Sequence, residues 1–356
     1  MLEVTCSGSS HDIGKTHGTV AKEHIARSMA FYEKLFQKKS SMNWEQVKQF
    51  AEKYQPYLKE NWPNYVEEME GIASGADVSY LDILALNVRT EIAFGTFSDG
   101  CTAFSWKGAD SSIIAQNWDW ESEQAENLIA LKIKKEDGLG IQMITEAGII
   151  GKIGLNSKGV GCTLNALKLK GVSYTKIPCH LALRTVMESN SRKDAIATLE
   201  KAGVASSCHI LVADETGGTG LECTSFGIAK LEMNESGIVT HTNHFLLDHG
   251  RKIPEESSFL ADSPFRVKRI GELLDATKEK EPTIEIAQNL LKDDMVGNGA
   301  AICRKGTEGN TLNTLFSIAM DLKNKTAKVL VGWPDKPEGE LVLSPAAAVN
   351  GVNGTH

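Results

Sequence analysis

Positive charge is in short supply in this chain of 356 residues: 38 lysines and arginines face 46 aspartates and glutamates, a net charge of −8. No basic stripe offsets the deficit, which excludes nucleic acid or an anionic membrane as the main partner. Long hydrophobic runs are also missing; none approaches the ~20 residues that span a bilayer. Met1-Leu2-Glu3-Val4 lacks the charged and apolar blocks of a secretory signal, so a cytoplasmic location is expected. The seven cysteines (Cys6, Cys101, Cys162, Cys179, Cys208, Cys223 and Cys303) form no CxxC pair, and the nearest two stand 15 residues apart. No disulfide framework follows from that spacing, and free thiols fit a reducing compartment. No linker or charge block divides the chain, which reads as one domain, 1–356. At 41% hydrophobic residues it has ample apolar surface for a core.

What is present is a cysteine in a telling context. Asp99-Gly100-Cys101-Thr102 is followed by a strand to Trp106, a turn at Lys107-Gly108-Ala109-Asp110, a return strand from Ser111 to Gln116, and then Asn117-Trp118-Asp119. A hairpin folded about Ala109 sets Cys101 opposite Asn117. Strand alternation then places Asp119 on the face of Asn117, near the thiol, with Trp118 pointing away.

That convergence has a chemical use. If the Gly100–Cys101 bond is cut, Cys101 carries both a thiol and a free α-amino group with an unperturbed pKa of about 7.7–8.0, close to that of an ideal general base. One residue then supplies nucleophile and base, with no histidine required. Gly100 tolerates the strained backbone that lets the thiol reach the preceding carbonyl, and Thr102 is placed to hydrogen-bond locally. The competing reading is a buried thiol opening an ordinary strand. Asn165, at the end of a strand leading back to the hairpin, either donates to a developing oxyanion or closes a turn. His180 opens a helix with no carboxylate motif beside it and is read as structural.

Four segments carry a resemblance: Asp99-Gly100-Cys101-Thr102, Gln116-Asn117-Trp118-Asp119, Ile144-Thr145-Glu146-Ala147-Gly148-Ile149-Ile150-Gly151-Lys152-Ile153-Gly154, and His241-Thr242-Asn243-His244. Together they resemble the isopenicillin N acyltransferase (acyl-coenzyme A:6-aminopenicillanic acid acyltransferase) family of penicillin-producing fungi, from Ile13-Gly14 to the strand around Leu315. The resemblance implies an N-terminal-nucleophile hydrolase, made as one inactive chain and self-processed at Gly-Cys. It implies Cys101 as nucleophile, Asp119 as the residue that orients the reacting groups, and Asn243 in the oxyanion hole. The chain departs from the family in two places. Thr311 stands where an arginine is expected, with Arg304 the nearest arginine; Asn353-Gly354-Thr355-His356 is unlike the small-basic-leucine tripeptide that directs the penicillin enzyme to peroxisomes. A cytosolic paralogue is expected.

Periodicity supports the same cut. Residues 12 to 94 read as helical, with Ile25, Met29, Tyr32 and Phe36 at helical spacing and a capping box at Ser79-Tyr80-Leu81-Asp82. Strands follow at 102–106, 111–117, 129–135, 141–146 and 160–165, helices at 180–187 and 192–202, strands at 207–213, 226–233 and 238–243, helices at 263–275 and 282–292, and a last hairpin at 312–320 and 327–333. Gly148-Ile149-Ile150-Gly151-Lys152 is too short for a phosphate loop. His241 and His244, three apart on a strand, would face opposite ways and lack a local third ligand. Gly8-Ser9-Ser10-His11 reads as a helix start, without the flanking strand of a serine elbow.

The expected fold is α+β: by resemblance, the four-layer αββα sandwich of N-terminal-nucleophile hydrolases. Residues 1–100 would form a helical fragment and 101–356 the catalytic fragment, the two staying associated. The expected function is acyl transfer from acyl-coenzyme A or an amide to an amine such as 6-aminopenicillanic acid. The alternatives are a cysteine amidohydrolase and an inactive paralogue kept as a binding protein. Catalysis is expected from Cys101, Asp119 and Asn243, autocleavage at Gly100, Cys101 and Thr102, and substrate contacts from Asn117, Asn165 and Arg304. Small-molecule substrates are the expected partners, with no metal, cofactor, nucleic acid or membrane.

Overall fold

A strand that the periodicity did not reveal begins the chain: Leu2–Gly8 (β1), with Val4 and Cys6 buried, pairs in parallel with a strand some 125 residues on. The computed structural model describes residues 1–93, 100–250, 261–307 and 311–345; Asp99 and Asn353-Gly354-Thr355-His356 lie outside them. Helices follow at Ser10–Val20 (α1), Lys22–Ser40 (α2), Trp44–Glu52 (α3), Gln55–Asn61 (α4), Pro63–Ala76 (α5), Tyr80–Asn87 (α6) and Arg89–Ile92 (α7). Ser9 caps α1 by accepting from Asp12 N–H, and the box expected at Ser79 and Asp82 opens α6. α1 and α5 cross where Gly14 and Gly18 meet Gly71 and Gly75. A Cβ on Gly18 would come within 2.9 Å of the Ala76 nitrogen, so only glycine permits that approach.

Strands then dominate: Thr102–Lys107 (β2), Ser112–Glu121 (β3), Leu128–Lys135 (β4), Gly140–Glu146 (β5), Ile153–Asn156 (β6) and Gly161–Ala166 (β7). Helices Cys179–Met187 (α8) and Arg192–Ala202 (α9) precede strands Cys208–Asp214 (β8), Gly217–Thr224 (β9), Gly227–Leu231 (β10) and Ile238–His241 (β11). Helices Ser263–Asp275 (α10) and Ile284–Leu291 (α11) lead to the last strands, Leu312–Asp321 (β12), Thr326–Val331 (β13) and Gly339–Leu343 (β14). β1, β6, β9 and β14 are additions to the expected pattern.

Two sheets result, one of eight strands in the order β1-β4-β5-β6-β7-β8-β9-β10 and one of six in the order β11-β2-β3-β12-β13-β14. Ile270, Leu274, Ala287 and Leu291 of α10 and α11 cover one face of the six-stranded sheet, against Phe104, Ile113 and Ala115. Its other face packs on the eight-stranded sheet, whose far side carries α8 and α9. The layers are therefore αββα, and the fold is α+β. One continuous apolar core runs from Ile25 of α2 through Trp118 to Ile318 of β12. No helix among the described residues is long and apolar enough to cross a membrane.

Candidate active site

Cys101 stands immediately before β2, fully buried, where the helical N-terminal part gives way to the sheets. The hairpin register pairs Thr102 with Asn117, one residue off the expected register, so Trp118 rather than Asn117 stands opposite Cys101. The reason lies in the turn. Gly108 N–H donates to the Ser111 carbonyl, and the Glu281 carboxylate accepts from Ala109 N–H, Asp110 N–H and the Ser111 hydroxyl, which fixes the tip between Ala109 and Asp110. Asp119 still reaches the thiol, because its backbone N–H donates to Cys101 Sγ at 3.3 Å. The thiol in turn faces the Asp119 carbonyl at 3.8 Å, so the Asp119 backbone fixes the sulfur from both its N–H and its C=O.

The Asp119 carboxylate faces the other way, into a buried cluster of two acids and two arginines. Thr314 Oγ1 donates to Asp119 Oδ1 at 2.6 Å and Arg304 Nε to Oδ2 at 3.2 Å. Arg304 Nη2 and Arg266 Nε both donate to Asp262 Oδ2. Burial raises the Asp119 carboxyl to about 7, while the Arg304 charge and the Thr314 hydroxyl pull against it. Arg304, expected as a substrate ligand, is instead 3% exposed and committed to Asp119 and Asp262. It also lies flat on Gly100: a Cβ there would sit 2.5 Å from Arg304 Cζ. A side chain at position 100 would have to displace Arg304, a different constraint from the backbone strain expected.

Among the described residues the Cys101 carbonyl takes two side-chain donors, Arg266 Nη1 at 2.8 Å and Asn165 Nδ2 at 3.1 Å. Arg266 also donates to Thr102 Oγ1 and to Asn243 Oδ1, at 3.1 and 3.0 Å. Asn243 Nδ2 donates to the Ala166 carbonyl, the residue after Asn165. Asn165, Thr102 and Asn243 therefore meet around Cys101 through Arg266. Asn117 does not join them. Its amide donates to the Leu291 and Ile302 carbonyls, tying β3 to the end of α11, so its expected place beside the thiol is corrected.

On the inter-sheet side Lys152 Nζ lies 3.6 Å from the centre of the Trp118 ring and pairs with Glu146. Glu146 also accepts from Arg89, Gln124 and Tyr32. Burial lowers the Lys152 ammonium to about 7 although Glu146 opposes it. A cavity of about 40 Å³ is walled by Arg89, Trp120, Leu164 and Ala166, the last two flanking Asn165. Among the described residues no group of three or more His, Cys, Asp and Glu is arranged to hold a metal. His180 Nδ1 meets the Gly151 carbonyl at 3.0 Å, a structural contact.

A family model described as acyl-coenzyme A:6-aminopenicillanic acid acyl-transferase matches residues 106–336. The acyl-coenzyme A:6-aminopenicillanic-acid-acyltransferase 40 kDa form of Emericella nidulans is 38% identical over 351 residues, 97% of this chain and 96% of that one. The chain belongs to the acyl-coenzyme A:6-aminopenicillanic acid acyl-transferase family. Among solved structures it is similar to a variant of conjugated bile acid hydrolase from Clostridium perfringens (TM-score 0.47, 16% identity, 68% of this chain and 92% of that one). It is also similar to penicillin V acylase from Agrobacterium tumefaciens (TM-score 0.47, 12% identity, 68% and 86%).

Sequence reasoning missed Asp262, Arg266, Thr314 and Lys152. Asp262 and Arg266 form an acid-to-base pair four residues apart opening α10, a helical spacing visible in the sequence. Thr314 carries no such signal, since only the β3–β12 pairing brings it opposite Asp119.

Proposed function

We propose that this family member cuts itself between Gly100 and Cys101 and then transfers acyl groups from a coenzyme A thioester to an amine. The observation that carries the reading is the donation of Asp119 N–H to the thiol of Cys101, directly after a glycine covered by Arg304. In processing, the thiol adds to the Gly100 carbonyl and the peptide C–N bond breaks, leaving a Gly100–Cys101 thioester and the Cys101 amine. Water hydrolyses the thioester to a Gly100 carboxylate and the free thiol. In turnover the Cys101 amine takes the thiol proton, the sulfur attacks the acyl carbonyl, and coenzyme A leaves as a thiol. An amine acceptor then takes the acyl group and regenerates the thiol. Residues 1–100 and 101–356 stay together as two fragments of one cytoplasmic enzyme, for the apolar core draws on both.

Hydrolysis is the second reading. It is favoured by Arg304, whose Nε and Nη2 serve Asp119 and Asp262 rather than an acceptor's carboxylate. Intact mass of the purified protein tests processing: fragments of about 11 and 28 kDa are expected, a 100:256 split of 38.7 kDa. Only full-length protein with unmodified Cys101 after prolonged incubation would overturn the mechanism.

A further inference from the structure

Asn165 is useful to Cys101 in only one of its two amide orientations. The Cys101 carbonyl can only accept, so the Asn165 atom 3.1 Å away must be Nδ2. Its Oδ1 then points the opposite way, to Nδ1 of His209 at 3.1 Å, and His209 must carry its proton on Nδ1. His209 is wholly buried on β8, and its Nε2 has no hydrogen-bond partner among the described residues. That bare nitrogen abuts Gly220 of β9, where a Cβ would come within 2.6 Å of it. The ring is stacked on His241 of β11, with centroids 3.6 Å apart and planes 8° from parallel. His241 is pinned in turn, Nδ1 to the Thr242 carbonyl at 2.8 Å and Nε2 to Glu222 at 3.0 Å. Glu222 also takes His249 Nε2 and the N–H groups of Leu246 and Leu247.

We propose that His209 is a positioning residue of the acyl-transfer site: by donating from Nδ1 to Asn165 Oδ1 it keeps the Asn165 amide turned with Nδ2 on the Cys101 carbonyl. The proposal deepens the reading of Cys101 as nucleophile and rests on it. The Cys101 carbonyl belongs to the residue whose thiol and amine do the chemistry, so its two donors, Asn165 and Arg266, hold the nucleophile in place once Gly100 is released. A buried Oδ1 left without a donor would turn Asn165 toward another partner, and Arg266 alone would hold that carbonyl. Burial and the neighbouring His241 hold the His209 imidazole well below its usual pKa, so the ring keeps the single proton this role needs. Its environment is Asn165 on β7, His241 on β11 and Glu222 on β9.

The test compares His209→Leu, His209→Asn and His209→Gln in the full chain, with Asn165→Ala and the Asn165→Ala/His209→Leu double variant. Asn places an amide nitrogen where Nδ1 sits; Gln reaches only the Nε2 position. The expected result is a fall of about tenfold in kcat for Leu and Gln, recovered within about threefold by Asn, with KM for the acyl thioester unchanged. The loss should be equal at every pH from about 6 to 9, and the double variant no slower than Asn165→Ala. Asn as slow as Leu, with losses that follow melting temperature, would reduce His209 to a packing residue and overturn the proposal. A changed pH profile would also overturn it, since His209 would then be moving a proton itself. Wild-type protein that never cleaves would sink the nucleophile reading, and this proposal with it; normal wild-type turnover with a fully active Leu variant would sink this proposal alone.

Discussion

Arg304 lies flat against Gly100, its guanidinium filling the space a Cβ would need while Nε holds Asp119. Gly100 and the acid behind Cys101 are thus coupled through one side chain. Gly100→Ala should push Arg304 off Asp119 and slow self-cleavage by more than about tenfold, as expected when an active-site charge contact is misplaced. Losing the cation also raises the Asp119 carboxyl further, so the acid limb of the cleavage rate should move to higher pH. Cleavage followed by intact mass between pH 5 and 9 checks both; wild-type rates in the alanine variant would remove Arg304 from the account.

In the proposed mechanism, processing isolates Asp119 in a way turnover does not. The uncut chain has no free Cys101 amine, so the rise of cleavage rate around pH 7 should report the Asp119 carboxyl, which burial raises to about 7. Asp119→Asn should cleave slowly and lack that limb. The same shift has a stability sign. The folded pKa lies above the unfolded ~3.9, so the native state keeps a proton the unfolded chain has lost, and stability from this group declines as pH rises from about 4 to 7. Urea unfolding of Cys101→Ala should show that decline, on the order of a few kcal/mol at most, and Cys101→Ala/Asp119→Asn should lack it. Parallel curves would contradict the shift.

The buried Glu146 cluster makes a prediction about stability. Glu146 answers two cations, Arg89 and Lys152, whose charges outweigh burial and hold its carboxyl below the usual range. Glu146→Gln takes the shared carboxylate away from Arg89 and Lys152 and should cost about 3–5 kcal/mol. Lys152→Met leaves the carboxylate matched by Arg89 and should cost clearly less. Denaturant midpoints at equal m-values compare the two, and the reverse order would mean that Lys152 is held by something other than this pair.

Local signals made the helices and most strands legible: α9 runs over the residues expected, and the Ser79 box opens α6. β9 was hidden by its own composition, Gly217-Gly218-Thr219-Gly220 looking like a turn. Those glycines make room for neighbours, Ser105 over Gly218 and His209 over Gly220, and such contacts between sequence-distant strands leave no periodic trace. Cys101 and Asp119 were legible because one hairpin joins them. Asn117 was misplaced because Glu281, about 170 residues away, sets the turn. Arg266, Asp262 and Thr314 come from elements that only the tertiary fold brings to the thiol.

Substrate choice follows from where the cations are. The penicillin nucleus carries a carboxylate, which a fixed guanidinium fork would ordinarily meet. Arg304 is spent on Asp119 and Asp262, and Thr311 is exposed with its hydroxyl donated to Glu121. Wild-type protein should therefore hydrolyse phenylacetyl-coenzyme A faster than it transfers the acyl group to 6-aminopenicillanic acid. Thr311→Arg should lower KM for 6-aminopenicillanic acid by about tenfold, the scale of one charge-assisted hydrogen bond, and leave hydrolysis unchanged. Arg304→Ala should fail at self-cleavage rather than lose the β-lactam acceptor selectively. Steady-state kinetics with and without the acceptor, after mass analysis of each variant, separates these outcomes. Efficient benzylpenicillin formation by wild type, with no gain from Thr311→Arg, would mean that another group holds the acceptor's carboxylate and that Thr311 has no part in choosing it.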